Sequence, residues 1–323
     1  VGALCHSGDM QIGMTLPVME PDLWRRGPDV LEEWARATDE GPFASLCFGE
    51  RMAFDNPETL TLLGAVAAWT SRVRIVTTVI VPQLHDPVLL AKSLATGDQL
   101  SRGRLTVGFG VGGREEDYRA VGGDLATQTM GDMASRVAVM KQVWAGEHVT
   151  DSVRPVGPPP AQAGGPELLV GTMGPKTIRS AAAWADGLAG VTLDLDLSAV
   201  GDLFDLARRA WVEAGRGVPR LTTSFWFALD DGSGAARDQV HRHLRHYMNW
   251  LPQQLVDAMA PTTGFAGTPD ELRDVLERLA DLGADEVHLI PTASDAAQVE
   301  QVAEIVGDLV GDLAGDVVGG GVA

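Results

Sequence analysis

The 323 residues carry 44 acidic side chains against 25 Lys and Arg, a net charge of −19, and so acidic a chain excludes nucleic acid as a partner, because phosphate contacts need clustered cations. Apolar residues make up 45%, enough for a large core. No stretch approaches the 18 or so apolar residues of a membrane span, and the first residues lack the basic-then-apolar pattern of a signal peptide, so no membrane partner and a cytoplasmic location are expected. Cys5 and Cys47 are too few for a disulfide framework, and a reduced thiol is expected at Cys47.

Residues 1–9 have no periodicity and read as an N-terminal extension. Ile12, Met14 and Leu16 then alternate with polar or small neighbours as in a first strand. Val30, Leu31, Trp34 and Ala35 follow at helical spacing after Pro28, a residue suited to a first turn. Residues 44–49 form a second strand ending at Glu50 and Arg51, two charges at a carboxyl-terminal strand end, where parallel α/β folds place their chemistry. Asn56-Pro57 opens another helix. Residues 73–81 are too apolar for a strand open on one face, and Asp86-Pro87 caps the helix that follows.

Residues 101–118 are the most distinctive stretch. A strand at 104–107 runs into four glycines, Gly108, Gly110, Gly112 and Gly113, then into the charged helix start Arg114-Glu-Glu-Asp117. Glycines here let the backbone pass close to something bulky or turn through φ > 0. The letters match the dinucleotide fingerprint, but that motif requires a second strand with an acidic residue about 20 residues on. Met133, Val137, Met140, Val143 and Trp144 instead have helical spacing, so a Rossmann unit is not expected. Glycines serving only a tight turn are the plainer alternative.

Residues 145–167, with Pro158-Pro159-Pro160, read as a long loop insertion, a lid or an edge. Strands are expected at 168–170, 188–191, 221–229 and 286–290, with helices between them. His241, His243 and His246 share the helical stretch 238–259, but their spacing does not put facing pairs on one side with a carboxylate, so no metal site is expected. Thr268-Pro-Asp-Glu271 is a capping box. A last helix from Ser294 is expected to fray over 307–323, where Gly307, Gly311 and Gly315 recur every four residues. Eight strands alternating with helices predict an α/β protein of the (β/α)8 TIM-barrel class with insertion segments, as a single domain over residues 1–323.

Residues 10–17, 78–82, 86–96, 100–105, 108–112, 171–176 and 265–271 together resemble the bacterial-luciferase-like flavin and deazaflavin oxidoreductases, across most of the chain. The resemblance implies coenzyme F420, or alternatively FMN, at the carboxyl-terminal mouth of the barrel. It implies a bulge with a non-prolyl cis peptide at Thr78-Val79, and a cofactor lying along Val111, Gly112, Gly113 and Glu116. The cofactor phosphate would sit at Gly171, Thr172, Met173, Gly174 and Lys176, where backbone N–H groups and one cation attract an anion. Thr172 and Met173 stand where relatives more often carry a second Gly and a small polar residue.

Many relatives carry a His directly after the acidic residue that closes strand two, and some F420-dependent dehydrogenases use it as the base on an alcohol. Here that position is Arg51, which cannot act as a base near neutral pH. Arg51 either orients an anionic or carbonyl substrate or forms a structural salt bridge with Glu50. Glu50, Arg51 and His85 are the candidate catalytic residues, His85 being either an acid or base at the mouth or an ordinary loop residue. The resemblance implies an F420-dependent oxidoreductase moving a hydride to or from a small organic substrate. The alternatives are an FMNH2-dependent monooxygenase, which would need a flavin reductase as partner, and a flavin-binding protein without catalysis. A homo-oligomer is compatible with each.

Overall fold

The computed structural model describes residues 10–172 and 174–319; the N-terminal extension, Met173 and the last four residues lie outside them. Nine strands occur among the described residues: β1 (Gln11–Thr15), β2 (Ser45–Phe48), β3 (Arg74–Ile80), β4 (Leu105–Phe109), β5 (Glu167–Val170), β6 (Gly187–Ala189), β7 (Arg220–Leu229), β8 (Phe265–Gly267) and β9 (Glu286–Pro291). All neighbours are parallel. The first seven pair in chain order, β7 pairs with β9, and β9 returns to β1. The result is the expected closed (β/α)8 barrel. The three-residue β8 is additional, pairing only with the end of β7 from Phe227 to Leu229, and is too short to show a period in sequence.

The strands are apolar on both faces because each is covered inside and out. Ser-Leu-Cys-Phe of β2 and Leu-Thr-Val-Gly-Phe of β4 are buried at every position. Helices dock on the outside by aliphatic stripes and by tryptophans that are buried yet satisfied. Trp34 donates to the Ser294 carbonyl (3.2 Å), Trp144 to Ala91 (2.9 Å) and Trp211 to Ala185 (3.2 Å). Helix starts follow local chemistry: Asp86 accepts from the N–H groups of Val88 and Leu89 with Pro87 at the first position, and Thr268 with Glu271 forms the full capping box. No helix of the described residues is long and apolar enough to cross a membrane.

Several local expectations change. The strand placed at 104–107 runs on through Gly108 and Phe109, so its first glycine is part of the sheet. The stretch 238–259 is two helices, Ala236–Tyr247 and Gln253–Met259, because Pro252 cannot continue the first. The last helix is described from Ala297 to Gly319, and residues 320–323 of the tail expected to fray lie outside the described residues. The loop expected at 145–167 ends at 166, since Glu167 already opens β5; its residues 145–166 contain no helix or strand and are not placed as a lid on the mouth. It leads into the start of β5, and Gln162 bonds Asp98 (2.7 Å) and the Leu105 carbonyl at the start of β4 (2.7 Å). That is the rim opposite the strand ends carrying Glu50.

The Thr78-Val79 bond is cis, and the β3–β4 register shifts between Thr77 and Ile80, so the bulge implied by resemblance is present. The glycines around it have a packing reason. A Cβ at Gly110 would lie 2.7 Å from Val79 Cγ2, one at Gly171 2.8 Å from Val79 Cγ1, and one at Gly108 3.2 Å from the same methyl. The Val79 side chain therefore fills a recess that exists only because three backbone positions, one on β4, one just after it and one just after β5, lack side chains.

At the opposite end of the barrel, Arg74 and Arg220, which start β3 and β7, meet the fully buried Glu286, and Glu167 at the start of β5 pairs with Arg74 (3.7 Å). The Glu286 carboxylate binds Arg74, Arg220 (2.8 Å) and the Ser45 hydroxyl (2.5 Å). Burial alone would raise the Glu286 carboxyl; His288 and Arg74, with the Ser45 hydrogen bond, override it and hold the group well below the usual carboxylate range. For the His288 ring burial would act downward, but Cys47 and Glu286 beside it prevail and push it up to about 10.

Two predictions follow from this packing. Gly110→Ala should destabilise the protein by about 1–3 kcal/mol through overpacking, and Val79→Ala should recover part of that loss in the double variant; additive urea-denaturation losses would show that Val79 and Gly110 do not share the recess. Glu286→Gln should cost about 3–5 kcal/mol at neutral pH, because it leaves Arg74 and Arg220 without their shared anion. A carboxyl depressed in the fold stabilises fully above its unfolded value of about 4.3 and loses that contribution as pH falls through its lower folded value. Wild type should thus lose stability in acid more steeply than Glu286→Gln, and parallel acid curves would remove Glu286 from this role.

Candidate active site

The carboxyl-terminal ends of β1, β2, β3, β7 and β9 surround a cavity of about 140 Å³ lined by residues of segments 15–19, 49–50, 78–81 and 290–291 together with Gly112, Arg114, Asp117, Trp226, His243 and Tyr247. Its floor on one side is the bulge of β3. Gly49 permits this, since a Cβ there would stand 2.7 Å from the Thr78 carbonyl oxygen.

Glu50 follows β2 and is buried. One carboxylate oxygen accepts the Val81 N–H (2.9 Å) and the other meets His85 Nε2 (2.7 Å). His85, on the turn after β3, is thus half-buried against Glu50 and is not a free loop residue. Arg51 does not pair with Glu50. Its Nε donates to Asp117 (2.8 Å), whose other oxygen accepts the backbone N–H groups of Met52 (3.1 Å) and Ala53 (2.8 Å).

The Arg51 guanidinium stacks at 4.7 Å over Phe54 and 5.9 Å over Tyr247, and Arg114 stacks at 4.8 Å over Tyr247 and 5.3 Å over Trp250. Burial, then the like charge of Arg114, pull Arg51 below its ordinary value, with Asp117 opposing. Arg51 Nη1 and Arg114 Nε are both buried without a hydrogen-bond partner, and no carboxylate of the described residues pairs with Arg114.

Other expected site residues divide. Thr78, Val79 and Gly112, the last at φ 65°, reach the cavity. Val111 lies beside it, its carbonyl accepting from Tyr118 (2.8 Å); burial pushes that phenol up to about 12. Gly113 is exposed, and a Cβ there would meet nothing within 4 Å. Glu116 points away, exposed and paired with Arg119 (2.6 Å). Gly171 packs on Val79, the Thr172 hydroxyl accepts the Gly174 N–H (3.1 Å), and Lys176 is exposed on the following short helix, Pro175–Ala181.

Sequence reasoning missed the wall supplied after β7. His243 and Tyr247, one helical turn apart, both line the cavity, and their rings stack at 5.8 Å with planes 14° apart. His243 Nδ1 bonds the buried carboxylate of Glu20. His241 instead bonds Asp257 (3.0 Å) and His246 packs at 4.7 Å on Phe54. Among the described residues no group of three or more His, Cys, Asp and Glu is placed to hold a metal ion.

With its barrel closed and its cavity at the strand ends, the chain can be set beside known proteins. It belongs to the luciferase-like monooxygenase family, a family of oxidoreductases, whose sequence model matches residues 10–286. An uncharacterised protein of Mycobacterium tuberculosis is 36% identical over 171 residues, which is 49% of this chain and 58% of that protein. An F420-dependent glucose-6-phosphate dehydrogenase of Nakamurella multipartita is 28% identical over 220 residues, covering 61% of this chain and 62% of that one. The matched region thus spans less than two thirds of these relatives' length. The monooxygenase RslO1 from Streptomyces bottropensis is similar in structure, with a TM-score of 0.75 at 25% identity over 92% of this chain and 96% of that one.

Asp117→Asn tests the cationic wall. Neutralising the one carboxylate against Arg51 leaves two guanidinium groups facing one aromatic cluster, and the loss in stability should be about 3 kcal/mol, the scale for breaking a buried pair. A urea midpoint within error of wild type would mean that Asp117 does not hold Arg51.

Proposed function

We propose that this chain is an F420-dependent oxidoreductase that reduces an activated double bond or carbonyl of a small organic substrate. The observation that carries the reading is the wall of Arg51 and Arg114, two cations with buried N–H groups unspent on the protein, beside a cavity at the strand ends. Hydride addition to a polarised C=C or C=O leaves negative charge on the acceptor, and fixed guanidinium groups in a water-poor site stabilise that charge without reorganising. Arg51 cannot take a proton from an alcohol, which favours reduction over alcohol oxidation.

The surroundings fit a flat, polar, anionic cofactor. Thr78 and Val79 offer an apolar backing, and Gly113 is a glycine the chain's own packing does not require. We assign Thr78, Val79, Val111, Gly112 and Gly113 to the cofactor ring and its linker, and Gly171, Thr172, Gly174 and the unpaired Lys176 to its phosphate. Glu116, committed to Arg119, is the weakest of the expected contacts. Reduced deazaflavin supplies a hydride and reacts poorly with oxygen. Glu50, buried between His85 and the Val81 N–H, holds the turn that ends the bulge.

A second reading, an FMNH2-dependent monooxygenase served by a flavin reductase, is favoured by the similarity to RslO1. Titration of the purified protein with F420 and with FMN, followed by fluorescence, separates the two. The expected result is tighter binding of F420, and anaerobic reoxidation of reduced F420 by an α,β-unsaturated ketone such as cyclohex-2-enone. Tight FMN binding with oxygen consumption on supply of FMNH2 would replace this reading with the monooxygenase.

A further inference from the structure

His243 is buried in the cavity wall, 1% exposed, with one ring nitrogen committed and one not. Nδ1 is bonded to Glu20, itself 5% exposed, while Nε2 is buried with no partner. The two groups come from either side of β9, Glu20 from the segment after β1 and His243 from the helix Ala236–Tyr247 after β7. The ring is fixed by Tyr247, stacked at 5.8 Å, and by Trp226, tilted at 6.1 Å.

An unpartnered imidazole nitrogen in a buried wall costs free energy, since a buried polar atom without a hydrogen bond loses its water and gains nothing. A carboxylate on Nδ1 has a further effect: it fixes which nitrogen keeps its proton, leaving Nε2 as the atom that gives or takes a proton. The other titratable groups around it are His246 and Tyr247 on its own helix and Glu50, Arg114 and Asp117 across the cavity. None of these has a ring nitrogen both buried at the cavity and unspent.

We propose that His243, oriented by Glu20, is the catalytic proton donor of this cavity, delivering a proton from Nε2 to the atom of the substrate left negative by hydride addition. The inference rests on the hydride-transfer reading. In the reductive direction a bound reduced deazaflavin would supply two electrons and one hydrogen to one end of the C=C or C=O bond. The charged imidazole breaks its Nε2–H bond, the proton forms the new C–H or O–H bond at the other end, and the neutral ring is recharged from solvent. Glu20 keeps the Nδ1 proton in place throughout. Arg51 and Arg114 stabilise the developing anion, and His243 discharges it, so the Glu50-Arg51 end of β2 does not have to supply the proton.

Two measurements test the proposal. Nitrogen-15 NMR of the cofactor-free protein should show the neutral His243 ring protonated on Nδ1 and bare on Nε2, with this preference weakened in Glu20→Gln. A neutral ring protonated on Nε2 would overturn the dyad whatever the activity. With reduced F420 and cyclohex-2-enone, His243→Ala should lower kcat by about 10²–10⁴-fold, the range for general acid catalysis, while F420 affinity changes less than about threefold. Added imidazole should restore turnover in proportion to its concentration, whereas a merely structural role would give no rescue. An unchanged kcat, or a loss that imidazole does not recover, rejects His243 as the donor. No turnover in wild type with this enone or others would instead sink the hydride-transfer reading, leaving the tautomer to decide the dyad.

Discussion

The site depends on where Val79 puts its two methyl groups. They occupy a recess left by Gly108, Gly110 and Gly171, each of whose absent side chains would come within 3.2 Å or less. With Val79 seated there, β3 leaves the regular register after Thr77 and its next residues stand at the cavity rather than in the ladder. The turn beyond is then fixed by Glu50, which takes the Val81 N–H and His85. One packing contact therefore sets the apolar backing of the site and the position of its buried carboxylate.

The polar wall has a corresponding centre in Tyr247. Arg51 and Arg114 stack on its ring and His243 lies parallel to it. These interactions are individually of the order of 0.5–2 kcal/mol, too small to bring two guanidinium groups together against their repulsion without Asp117. The chain as a whole is strongly acidic, at −19, and in this wall two guanidinium groups, Arg51 and Arg114, share one aromatic ring; such a pairing suits an anion or charge that develops during a reaction.

What could be read from the sequence was what depends on near neighbours. Alternation in Ile12, Met14 and Leu16, the apolar run 73–81, the caps at Asp86 and Thr268 and the charges closing β2 are local signals, and they located the eight barrel strands and one rim of the site. The bulge at Thr78-Val79 came from resemblance, since nothing in its own letters marks it. Contacts across the barrel left no such trace. Glu20 and His243 are 223 residues apart, and His243 looked like one of three helical histidines without metal spacing. The loop 145–167 drew attention by its length, but a segment between a helix and the next strand necessarily lies on the rim opposite the site. The segment after β7, broken by Pro252, supplied the missing wall instead.

The two ends of the barrel handle buried charge in opposite ways. At the amino-terminal end Glu286 is shared by Arg74, Arg220 and Ser45, and little of its hydrogen-bonding capacity is left over. At the carboxyl-terminal end Arg51, Arg114 and His243 each keep a buried nitrogen without a partner. Both arrangements carry the desolvation cost of burying ionisable groups, and the first recovers part of it through Glu286, with Arg220 Nε and His288 Nε2 left without a hydrogen bond there. Arg114 and His243 line one cavity and Arg51 stacks on Tyr247 in its wall, and a ligand bringing complementary oxygen atoms would recover there what folding left unsatisfied.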